Sequence, residues 1–587
     1  MRVGRAGSLT TNGPVNIGSS TNASGFLSLQ DTQFDANGVV CLGLGDNASG
    51  RIVVADETVA NALNVDIGCD PDANGRFEVT GAGTVVNATS ELDVGARGRG
   101  VLEVRNGGVL NSQISAVGFL AGGEGIATVK HSGSLWAIDS NLDIGWAAGS
   151  TGSLTIEEGA SVLAGGNVTV GTSTDVPGSS IIIRGFGSRC EAGGDVTIGG
   201  GADASVTVSG DGELAAVGST VLVDSNGTLH LTGNLTPAVE ATEIVNHGLI
   251  LCSADEPDLF STVENYGTMW AAGFADIWIY QGLDNRGEVT TGPTSEIRVS
   301  GPVTGDGVYT GSGRHLFLDN VSPGLESGAA RTHAMSFDGN LELVRTSNLV
   351  IDMLGASDFD RLVVQGDVLL DDATLELESV GYIPELDARF VLIEVGGTLT
   401  GEFDGSPEGS LVYYVGGQPM AISYVGGDGN DVELTVDPDR YPRSFIVNRG
   451  IRRSGLFTEL EEADNQDFVM ERRATDIQAV TEVEFGATAP PTSTSMSLTL
   501  ESSVFARNVV NQSIQLFNYD TLSWETIDTR AASRFGDSRI TVSPAGDHTR
   551  FINPADLRIF ARVRYQSPSP RQQFSSSIDE FKWTFTE

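Results

Sequence analysis

The segment GSLTIEEGASVLAGGNVTVG, residues 152–171, indicates the fold, because its pattern recurs along the first part of the chain. Each copy begins with two apolar residues that flank one other residue, and Gly follows them. A second Gly then precedes a strand in which apolar and polar residues alternate. The motif occurs eight times, at a mean spacing of about 26 residues. Self-similarity at such a period is typical of solenoids. The first glycines of the eight copies are Gly18, Gly43, Gly68, Gly95, Gly118, Gly145, Gly171 and Gly199.

These repeats predict a parallel β-solenoid. The strands that follow the second glycine, such as GRIVV at 50–54 and GVLEV at 100–104, alternate apolar and polar residues as half-buried strands do. A unit of about 26 residues cannot bury its apolar face alone, whereas stacked units bury a continuous column. The glycines are expected at corners, where the chain turns with φ > 0 or passes another backbone closely.

After residue 223 the repeat becomes shorter. The motif Asn-x-Gly recurs at Gly248, Gly267 and Gly287, with steps of 19 and 20 residues. We expect each Asn at a corner, where its side chain bonds its own backbone and left-handed geometry is tolerated. Residues 301–437 lose a clear period but keep strand-like runs, which predicts terminal coils or a β-rich cap.

The charge is unevenly distributed and indicates a domain boundary. Residues 1–440 hold 18 basic and 58 acidic groups, whereas residues 441–587 hold 16 and 19. Segments in the second part, such as NQSIQLFNYD at 511–520, are typical of short strands in a sandwich. The sequence therefore predicts an all-β protein with solenoid repeats at 1–300, terminal coils or a cap at 301–437, and an antiparallel β-sandwich at 438–587.

Composition excludes several classes of protein. A net charge of -43 argues against binding to nucleic acid or to an anionic membrane, because both need clustered Lys and Arg. The 75 glycines show no three-residue period, which excludes collagen. No run of eighteen apolar residues occurs, so membrane insertion is not expected.

Three groups of segments resemble known families. GVLEVRNGGVLNSQISAVG (100–118) and residues 152–171 resemble the glycine-rich repeats of autotransporter passenger domains and of PEP-CTERM-associated repeat proteins. SDFDRLVVQGDVLLDDATLELE (357–378) resembles the terminal segment of autotransporter-associated β-strand proteins. A β-sandwich module of planctomycete-like secreted proteins is resembled by three C-terminal segments, SSVFAR (502–507), IQLFNYDTLSWETIDTR (514–530) and FARVRYQSPSPRQQF (560–574). The resemblance implies a right-handed β-helix exported to the cell surface or beyond.

The start of the chain is expected to be incomplete. MRVGRAGSLTTNGPVNIG, residues 1–18, lacks the apolar region of a signal peptide, although the composition is typical of a secreted protein. A bare solenoid end would expose unpaired backbone groups and favour end-to-end association. We therefore expect an extracellular or cell-surface protein with a missing N-terminal segment.

One candidate site is the row of residues between the apolar pair of each motif. We expect all of them to point outward into solvent. Asp66 and Asp93 belong to adjacent coils, about 5 Å apart, so that one could be an acid of raised pKa or both could hold Ca²⁺. The alternative is a polar outer face. The row consists of Asn16, Cys41, Asp66, Asp93, Ala116, Asp143, Thr169 and Thr197.

A second candidate is GGDGNDVEL, Gly426 to Leu434, which fits the nonapeptide of Ca²⁺-binding parallel β-rolls. Only one copy is present, and a single copy supplies too few oxygen ligands. The same string is typical of a Gly/Asp turn between two strands, and the turn is favoured.

A polysaccharide lyase or hydrolase would need a basic residue beside a carboxylate cluster, or two acids flanking the scissile bond. Arg105, Arg184 and Lys130 follow their strands, with no groove of paired acids expected beside them. We expect the six histidines to be scattered, mostly at the surface or in turns, with no catalytic or metal cluster. They are His131, His230, His247, His315, His333 and His548.

Cysteines and aromatic residues complete the candidates. Cys41 and Cys69 are offset by three positions, near 10 Å along an extended strand, which is beyond disulfide reach. Cys190 and Cys252 are also expected to be free or buried thiols. Trp524 with Tyr519, and Trp583, could form a platform for sugar rings, although core positions suit these aromatics as well.

The sequence favours a non-enzymatic, adhesin-like rod at the cell surface, with no catalytic residues, no cofactor and no metal site. Its expected partners are surface glycans, other surface proteins or further copies of itself. A β-helix enzyme acting on polysaccharide, with a groove of acids and aromatics along one solenoid face, is the first alternative. A calcium-dependent surface assembly protein is the second.

Overall fold

The computed structural model describes residues 1–172, 178–233, 238–254, 256–324, 332–386, 388–461 and 463–586. The protein is all-β, with 60% of residues in strands. It divides into two compact units. The first comprises Met1–Val350, Arg361–Leu375 and Val395–Phe403, and the second comprises Ile351–Asp360, Glu376–Glu394 and Asp404–Glu587. Among the described residues, no helix is long and apolar enough to cross a membrane.

The first 22 strands form the coils of the longer repeat. In chain order, β1 to β22 are Arg2–Thr11, Val15–Ile17, Ser24–Ala36, Val40–Leu42, Ser49–Ala55, Val59–Ala62, Val65–Ile67, Asn74–Thr80, Val85–Val94, Arg99–Arg105, Val109–Val117, Glu124–Lys130, Leu135–Ile138, Leu142–Ile144, Thr151–Glu157, Ser161–Ala164, Val168–Val170, Ser179–Arg184, Arg189–Ala192, Val196–Ile198, Ala204–Ser209 and Glu213–Val223.

The next 22 strands include the coils of the shorter repeat. In order, β23 to β44 are Gly227–Thr232, Val239–Asn246, Leu249–Ala254, Asp258–Asn265, Thr268–Ala271, Asp276–Ile279, Gly282–Asn285, Glu288–Thr291, Glu296–Val299, Val303–Thr304, Val308–Gly311, Arg314–Phe317, Asn320–Val321, Ala334–Phe337, Asn340–Val344, Asn348–Gly355, Asp358–Phe359, Arg361–Val364, Val368–Asp371, Thr374–Glu378, Arg389–Val395 and Leu399–Glu402.

The remaining strands belong to the second unit, together with the short 3-10 helices Phe457–Leu460 and His548–Phe551. In order, β45 to β58 are Leu411–Val415, Gln418–Gly426, Asp431–Val436, Asp439–Arg440, Ser444–Arg449, Ile451–Ser454, Phe468–Glu471, Val480–Thr488, Ser495–Ala506, Asn511–Asn518, Ser523–Ala531, Ser538–Val542, Arg558–Gln566 and Phe574–Thr586.

Successive coils pair in parallel and in register, which confirms the predicted β-solenoid, and the solenoid has about 14 turns. Gly100 of β10, for example, pairs with Gly75 of β8 on one side and Gly125 of β12 on the other. Apolar residues alternate inward along each strand, and Leu154 and Ile156 of β15 are fully buried. Equivalent positions of all coils therefore stack into one continuous apolar column.

The glycines occupy corners in the two ways that the sequence predicts. Gly68 turns the chain at φ +74, and the other first glycines of the motif have φ between +71 and +88. Gly50, a second glycine, has no left-handed φ but passes another backbone closely. A Cβ at Gly50 would lie 2.6 Å from the nitrogen of Gly43. Both positions exclude larger residues, one by conformation and the other by space.

In the shorter repeat, asparagines form a buried ladder. Asn246 donates its amide to Oδ1 of Asn265 at 2.7 Å, and Asn265 donates to Asn285 at 2.8 Å. The carboxamide oxygen of Asn246 also accepts from the backbone N–H of Gly248 at 3.1 Å, as expected for a side chain bonding its own backbone. The expected left-handed geometry is absent at these three asparagines, because each ends a strand and its φ stays negative.

Residues 301–437 contain two kinds of structure. Parallel coil pairing continues as far as β41 and β44, where Leu370 pairs with Gly401. The strands β45, β46 and β47 instead pair with one another as antiparallel hairpins in the second unit.

Two antiparallel sheets complete the second unit, as the predicted sandwich requires. One sheet has five strands in the order β49-β52-β57-β54-β55. The other has six, in the order β50-β51-β58-β53-β56, with β48 paired to β58. Fully buried aromatics such as Phe485 of the first sheet and Phe581 of the second pack together, with ring centroids 4.7 Å apart.

The prediction that all four cysteines are free is wrong for Cys41 and Cys69, which form a disulfide with 6.2 Å between their Cα atoms. The 10 Å offset assumed an extended chain after Asp66, the register partner of Cys41. Gly68 instead turns the chain, and the N–H of Cys69 donates to the carbonyl of Gly43 at 3.1 Å. The turn brings Cys69 back over the strand. Cys190 and Cys252 are buried free thiols, as expected.

We expect the disulfide to stabilise the first coils, because it closes a loop with a sequence separation of 28 residues. Loss of such a constraint costs about 3 kcal/mol. Reduction with dithiothreitol should lower the thermal midpoint of the wild-type protein, as followed by circular dichroism. The double variant C41S/C69S should show the lower midpoint without reductant, and dithiothreitol should not change it further. Four reactive thiols in denatured, unreduced protein would contradict the pairing.

Candidate functional site

The row of residues inside the apolar pairs runs across the coils in register. Asp66 of β7 pairs with Cys41 of β4 on one side and with Asp93 of β9 on the other. The prediction that Asp66 and Asp93 lie next to each other in adjacent coils is therefore confirmed. The row continues from Asp93 to Ala116, and from Ala116 to Asp143.

The expectation that this whole row points into solvent is wrong for Cys41, Asp93 and Ala116, which are buried. The chain after a corner glycine turns back toward the row, as the bond between Cys69 and Cys41 shows. Asp93 is only 7% exposed. Burial, together with the charges of Asp66 and Glu91, raises the pKa of Asp93 to about 7. Burial and Glu91 also raise the pKa of Asp66.

The basic residues that follow the strands lie beside carboxylates of neighbouring coils. Arg105 bonds Glu78, which also accepts from Arg51 at 3.1 Å. Lys130 contacts Glu103 at 2.8 Å, and Arg184 bonds Glu157. Parallel register stacks the coils so that basic and acidic residues of neighbouring strands meet. These groups form ion pairs along the solenoid surface.

The histidines do not cluster, but two of them are buried rather than at the surface. His315 lies fully inside the solenoid between aromatic rings, and burial lowers its pKa to about 4. His548 is buried in the second unit, within 2.8 Å of the hydroxyl of Ser493. Of the remaining four, His131 lies in a turn at φ +70 and His247 stacks on Tyr266. His230 contacts Ser253 and His333 faces Asp306.

Gly426 to Leu434 form the predicted turn. Gly426 pairs with Asp431 at the end of the antiparallel hairpin of β46 and β47, and Gly427 and Gly429 have φ of +53 and +120. The calcium nonapeptide needs successive parallel coils, which an antiparallel hairpin does not provide. Over the described residues, no group of three or more His, Cys, Asp and Glu side chains is arranged to hold a metal ion.

Aromatic side chains on the solenoid surface stack on one another. Phe260 stacks on Tyr280 with centroids 4.2 Å apart, and Tyr280 stacks on Trp278 at 4.6 Å. The guanidinium of Arg298 lies 4.8 Å from the ring of Trp278. These rings lie several coils beyond Asp66 and Asp93. Acidic groups also lie beside these rings, because the hydroxyl of Tyr280 donates a hydrogen bond to the carboxylate of Asp258.

The three aromatics predicted as a sugar platform lie in two different places. Trp583 is 0% exposed and packs edge-on against Phe581 in the core. Trp524 and Tyr519 are half-buried, and both contact the ring of Phe517, at 5.4 and 5.0 Å between centroids. Trp583 is therefore a core residue, whereas Trp524 and Tyr519 share one side of the five-stranded sheet.

Strand register extends this aromatic cluster across the sheet. Trp524 pairs with Phe517, and Gln515 pairs with Arg562, so that Phe560 lies on the same side two residues before Arg562. The opposite side carries fully buried residues such as Val563 and faces the core. We call Trp524, Phe517 and Phe560 the aromatic row. It lies on the outer side of the sheet.

Glycine makes room for this row. Gly486 of β52 pairs with Phe560 of β57. A Cβ at Gly486 would lie 2.6 Å from Cε1 of Phe560. The ring of Phe560 therefore lies across the neighbouring strand, and a larger residue at 486 would displace it.

Charged side chains flank the aromatic row. The guanidinium of Arg562 lies 3.9 Å from the ring centroid of Trp524 and contacts Glu484 at 3.3 Å. Arg564 contacts Glu482 at 3.5 Å. Phe517, Phe560 and Arg562 could not be identified from local patterns, because their proximity depends on the pairing of strands that are distant in the chain.

We expect the burial of Asp93 to make stability depend on pH. Its pKa is raised from 3.8 to about 7 in the folded protein, so the protonated form contributes stability that is lost as pH rises through 7. Asp93→Asn should match the wild type near pH 4 and exceed its stability at pH 8 by up to ~4 kcal/mol. Thermal unfolding from pH 4 to 8 measures this difference.

Asp143→Asn is the matched control. Asp143 lies in the same row, and burial raises its pKa, but its neighbour Thr169 donates a hydrogen bond in place of a second carboxylate. Its gain at pH 8 should be smaller than that of Asp93→Asn. Parallel stability curves for wild type and Asp93→Asn between pH 4 and 8 would contradict the expectation.

Comparisons with known proteins give little. No family model matches the chain, and no curated protein matches it. Solved structures that match include a family 61 carbohydrate-binding module in complex with β-1,4-galactotriose, with a TM-score of 0.17 and 7% identity over 24% of this chain and 87% of that chain. A variant of the family 29 module CBM29-2 matches with a TM-score of 0.16 and 12% identity over 24% and 92%. These scores are too low to carry an argument about function.

Proposed function

We propose that this protein is a non-enzymatic, extracellular or cell-surface adhesin-like protein, in which the solenoid is a rigid spacer and the sandwich binds glycans through the outer side of its five-stranded sheet. The observation that carries the proposal is the aromatic row of Trp524, Phe517 and Phe560 with its flanking charged groups. The resemblance to autotransporter passenger-type and PEP-CTERM-associated repeats agrees with it.

The aromatic row suits a sugar ring. Arg562 lies over one face of the half-exposed indole, and the ring surface that stays exposed is apolar and suits the C–H groups of a pyranose. Arg562 and Glu484 lie beside the rings, and their donors and acceptors match hydroxyl groups. A surface with apolar rings and a few positioned polar groups is typical of a ligand site.

The solenoid suits a spacer. Its coils are joined by parallel backbone ladders, and about 14 turns at about 4.8 Å per turn span about 65 Å. The 58 acidic groups of residues 1–440 outnumber the 18 basic ones. Because like charges repel, this surface opposes lateral aggregation of the spacer.

The disulfide supports an extracellular location. Disulfides form and persist in oxidising compartments and are rare in reducing ones. The pair Cys41–Cys69 closes across two neighbouring coils of the solenoid. Such a bond is useful to a protein that works outside the cell.

Trp524→Ala tests the proposed platform. Cellohexaose and β-1,4-galactotriose are suitable first probes for isothermal titration with the full chain, followed by a wider panel of neutral glycans. Loss of the indole should weaken binding of a responding glycan by about 10- to 30-fold. The thermal midpoint should stay unchanged, because the side chain lies outside the core.

Phe535→Ala is the matched control, since Phe535 is 93% exposed and lies outside the aromatic row. It should leave glycan binding as in the wild type. Equal effects of the two substitutions, or failure of every neutral glycan to bind, would contradict the platform. Appearance of new reducing or unsaturated ends after incubation with polysaccharides would contradict the non-enzymatic part of the proposal.

A further inference from the structure

A large groove lies on the second unit, away from the aromatic row. Its volume is about 1390 Å³, and two segments form its walls, Phe505–Asn508 and Pro568–Ser575. Both segments adjoin the six-stranded sheet, in which Phe505 of β53 pairs with Ser575 of β58. Pockets for compact small molecules measure roughly 300–1,000 Å³. The groove is therefore large enough for part of a longer chain.

Internal hydrogen bonds hold the two walls in place. Gln572 donates from Nε2 to the carbonyl of Asn508 at 3.2 Å and so joins one wall to the other. Arg472, only 6% exposed, donates from Nη2 to the carbonyl of Pro570 at 2.9 Å. Its other bond, to the carbonyl of Asp476 at 2.8 Å, anchors the guanidinium below the wall. A ligand would thus meet a groove that is already formed.

The groove is basic in a strongly acidic protein. Three arginines, Arg453, Arg507 and Arg571, line it against one carboxylate, Glu471. Arg453 contacts Glu471 at 2.5 Å, which neutralises one positive charge. Arg507 and Arg571 are exposed and form no ion pair with the residues that the structure describes. Two guanidinium groups therefore remain available to an anionic ligand.

The other lining groups suit a carbohydrate. Phe505 is 87% exposed, so its ring is open to a partner on the surface of the sheet. Asn508 and Gln573 add amide groups, whose donors and acceptors match sugar hydroxyls. Guanidinium groups bind carboxylates through paired hydrogen bonds. An aromatic ring, amides and free arginines together match a sugar chain that carries carboxylates.

We propose that this groove binds an anionic polysaccharide of the uronic-acid class. Carboxylates of the chain pair with Arg507 and Arg571, and one sugar ring stacks on Phe505. The site is separate from the aromatic row and does not depend on it, so the protein would hold two kinds of glycan. Charge complementarity also fits the acidic solenoid of a second copy, but loop walls enclose the groove and favour a narrow chain over a broad sheet surface.

The test uses the full chain with polygalacturonate as the probe, in affinity electrophoresis and in titration with its oligomers. The double variant R507Q/R571Q should weaken binding by about tenfold or more, because both charge-assisted contacts are lost. The matched control is R449Q/R558Q, which removes two exposed arginines of the five-stranded sheet and should bind as the wild type does. Phe505→Ala should also weaken binding, with an unchanged thermal midpoint.

Further measurements distinguish polysaccharide binding in the groove from binding at the aromatic row and from self-association. Wild-type affinity for polygalacturonate should fall as salt rises, and uncharged dextran should not bind. Trp524→Ala should leave polygalacturonate binding unchanged, so that failure of this proposal is distinct from failure of the platform. Equal losses in R507Q/R571Q and R449Q/R558Q would overturn the proposal. So would self-association, measured by sedimentation, that R507Q/R571Q abolishes while polygalacturonate binding persists.

Discussion

The parallel backbone pairing between successive coils is the constraint on which the other features of the solenoid depend. In-register pairing places each residue next to its equivalent in the neighbouring coil, so the chemistry of a position is repeated along the solenoid. Where the equivalents complement each other, the stack is favourable, as in the amide ladder from Asn246 to Asn285. Where they are both acids, as Asp66 and Asp93 are, the same register places like charges together. Burial and the charges of Asp66 and Glu91 raise the pKa of Asp93, and burial and Glu91 raise the pKa of Asp66. Corner glycines make the register possible, because only they allow the tight turn at Gly68 and the close passage at Gly50.

Much of this architecture could be predicted from the sequence, because the repeat shows the length of each coil and the positions of its corners. The alternation around Gly152, for instance, predicts which residues of β15 face inward, and Leu154 and Ile156 do so. The disulfide could not be predicted by treating the chain after Asp66 as extended, since the turn at Gly68 reverses its direction. The burial of Asp93 escaped prediction for a related reason. Alternation tells on which side of a strand a residue lies, but not whether a following turn covers that side.

The candidate site was predictable only in part. Trp524 and Tyr519 stand close together in the sequence, and one hairpin suffices to bring them near each other. Phe560 and Arg562 reach the same surface only because β54 lies between β55 and β57 in the five-stranded sheet. Strand order in a sandwich is not readable from local pattern, since many orders satisfy the same alternation. The same limit applies to the core position of Trp583. Alternation in its strand does not show which side of the sheet faces the core until the packing partner is known.

The basic residues show how one side chain serves two purposes in both units. Of the 34 Lys and Arg residues, only Lys130 and Lys582 are lysines, so nearly all positive charge is carried by guanidinium groups. In the solenoid these planar groups reach across one coil to a carboxylate, as Arg105 does to Glu78. In both units they also lie on aromatic rings, as Arg298 does on Trp278 in the solenoid and Arg562 on Trp524 in the second unit. A guanidinium combines charge with a flat, weakly hydrated surface, which an ammonium group does not. Within the part of the chain that the structure describes, some arginines have neither an ion pair nor a ring under the guanidinium. Two of these, Arg507 and Arg571, line the groove that Phe505 also lines.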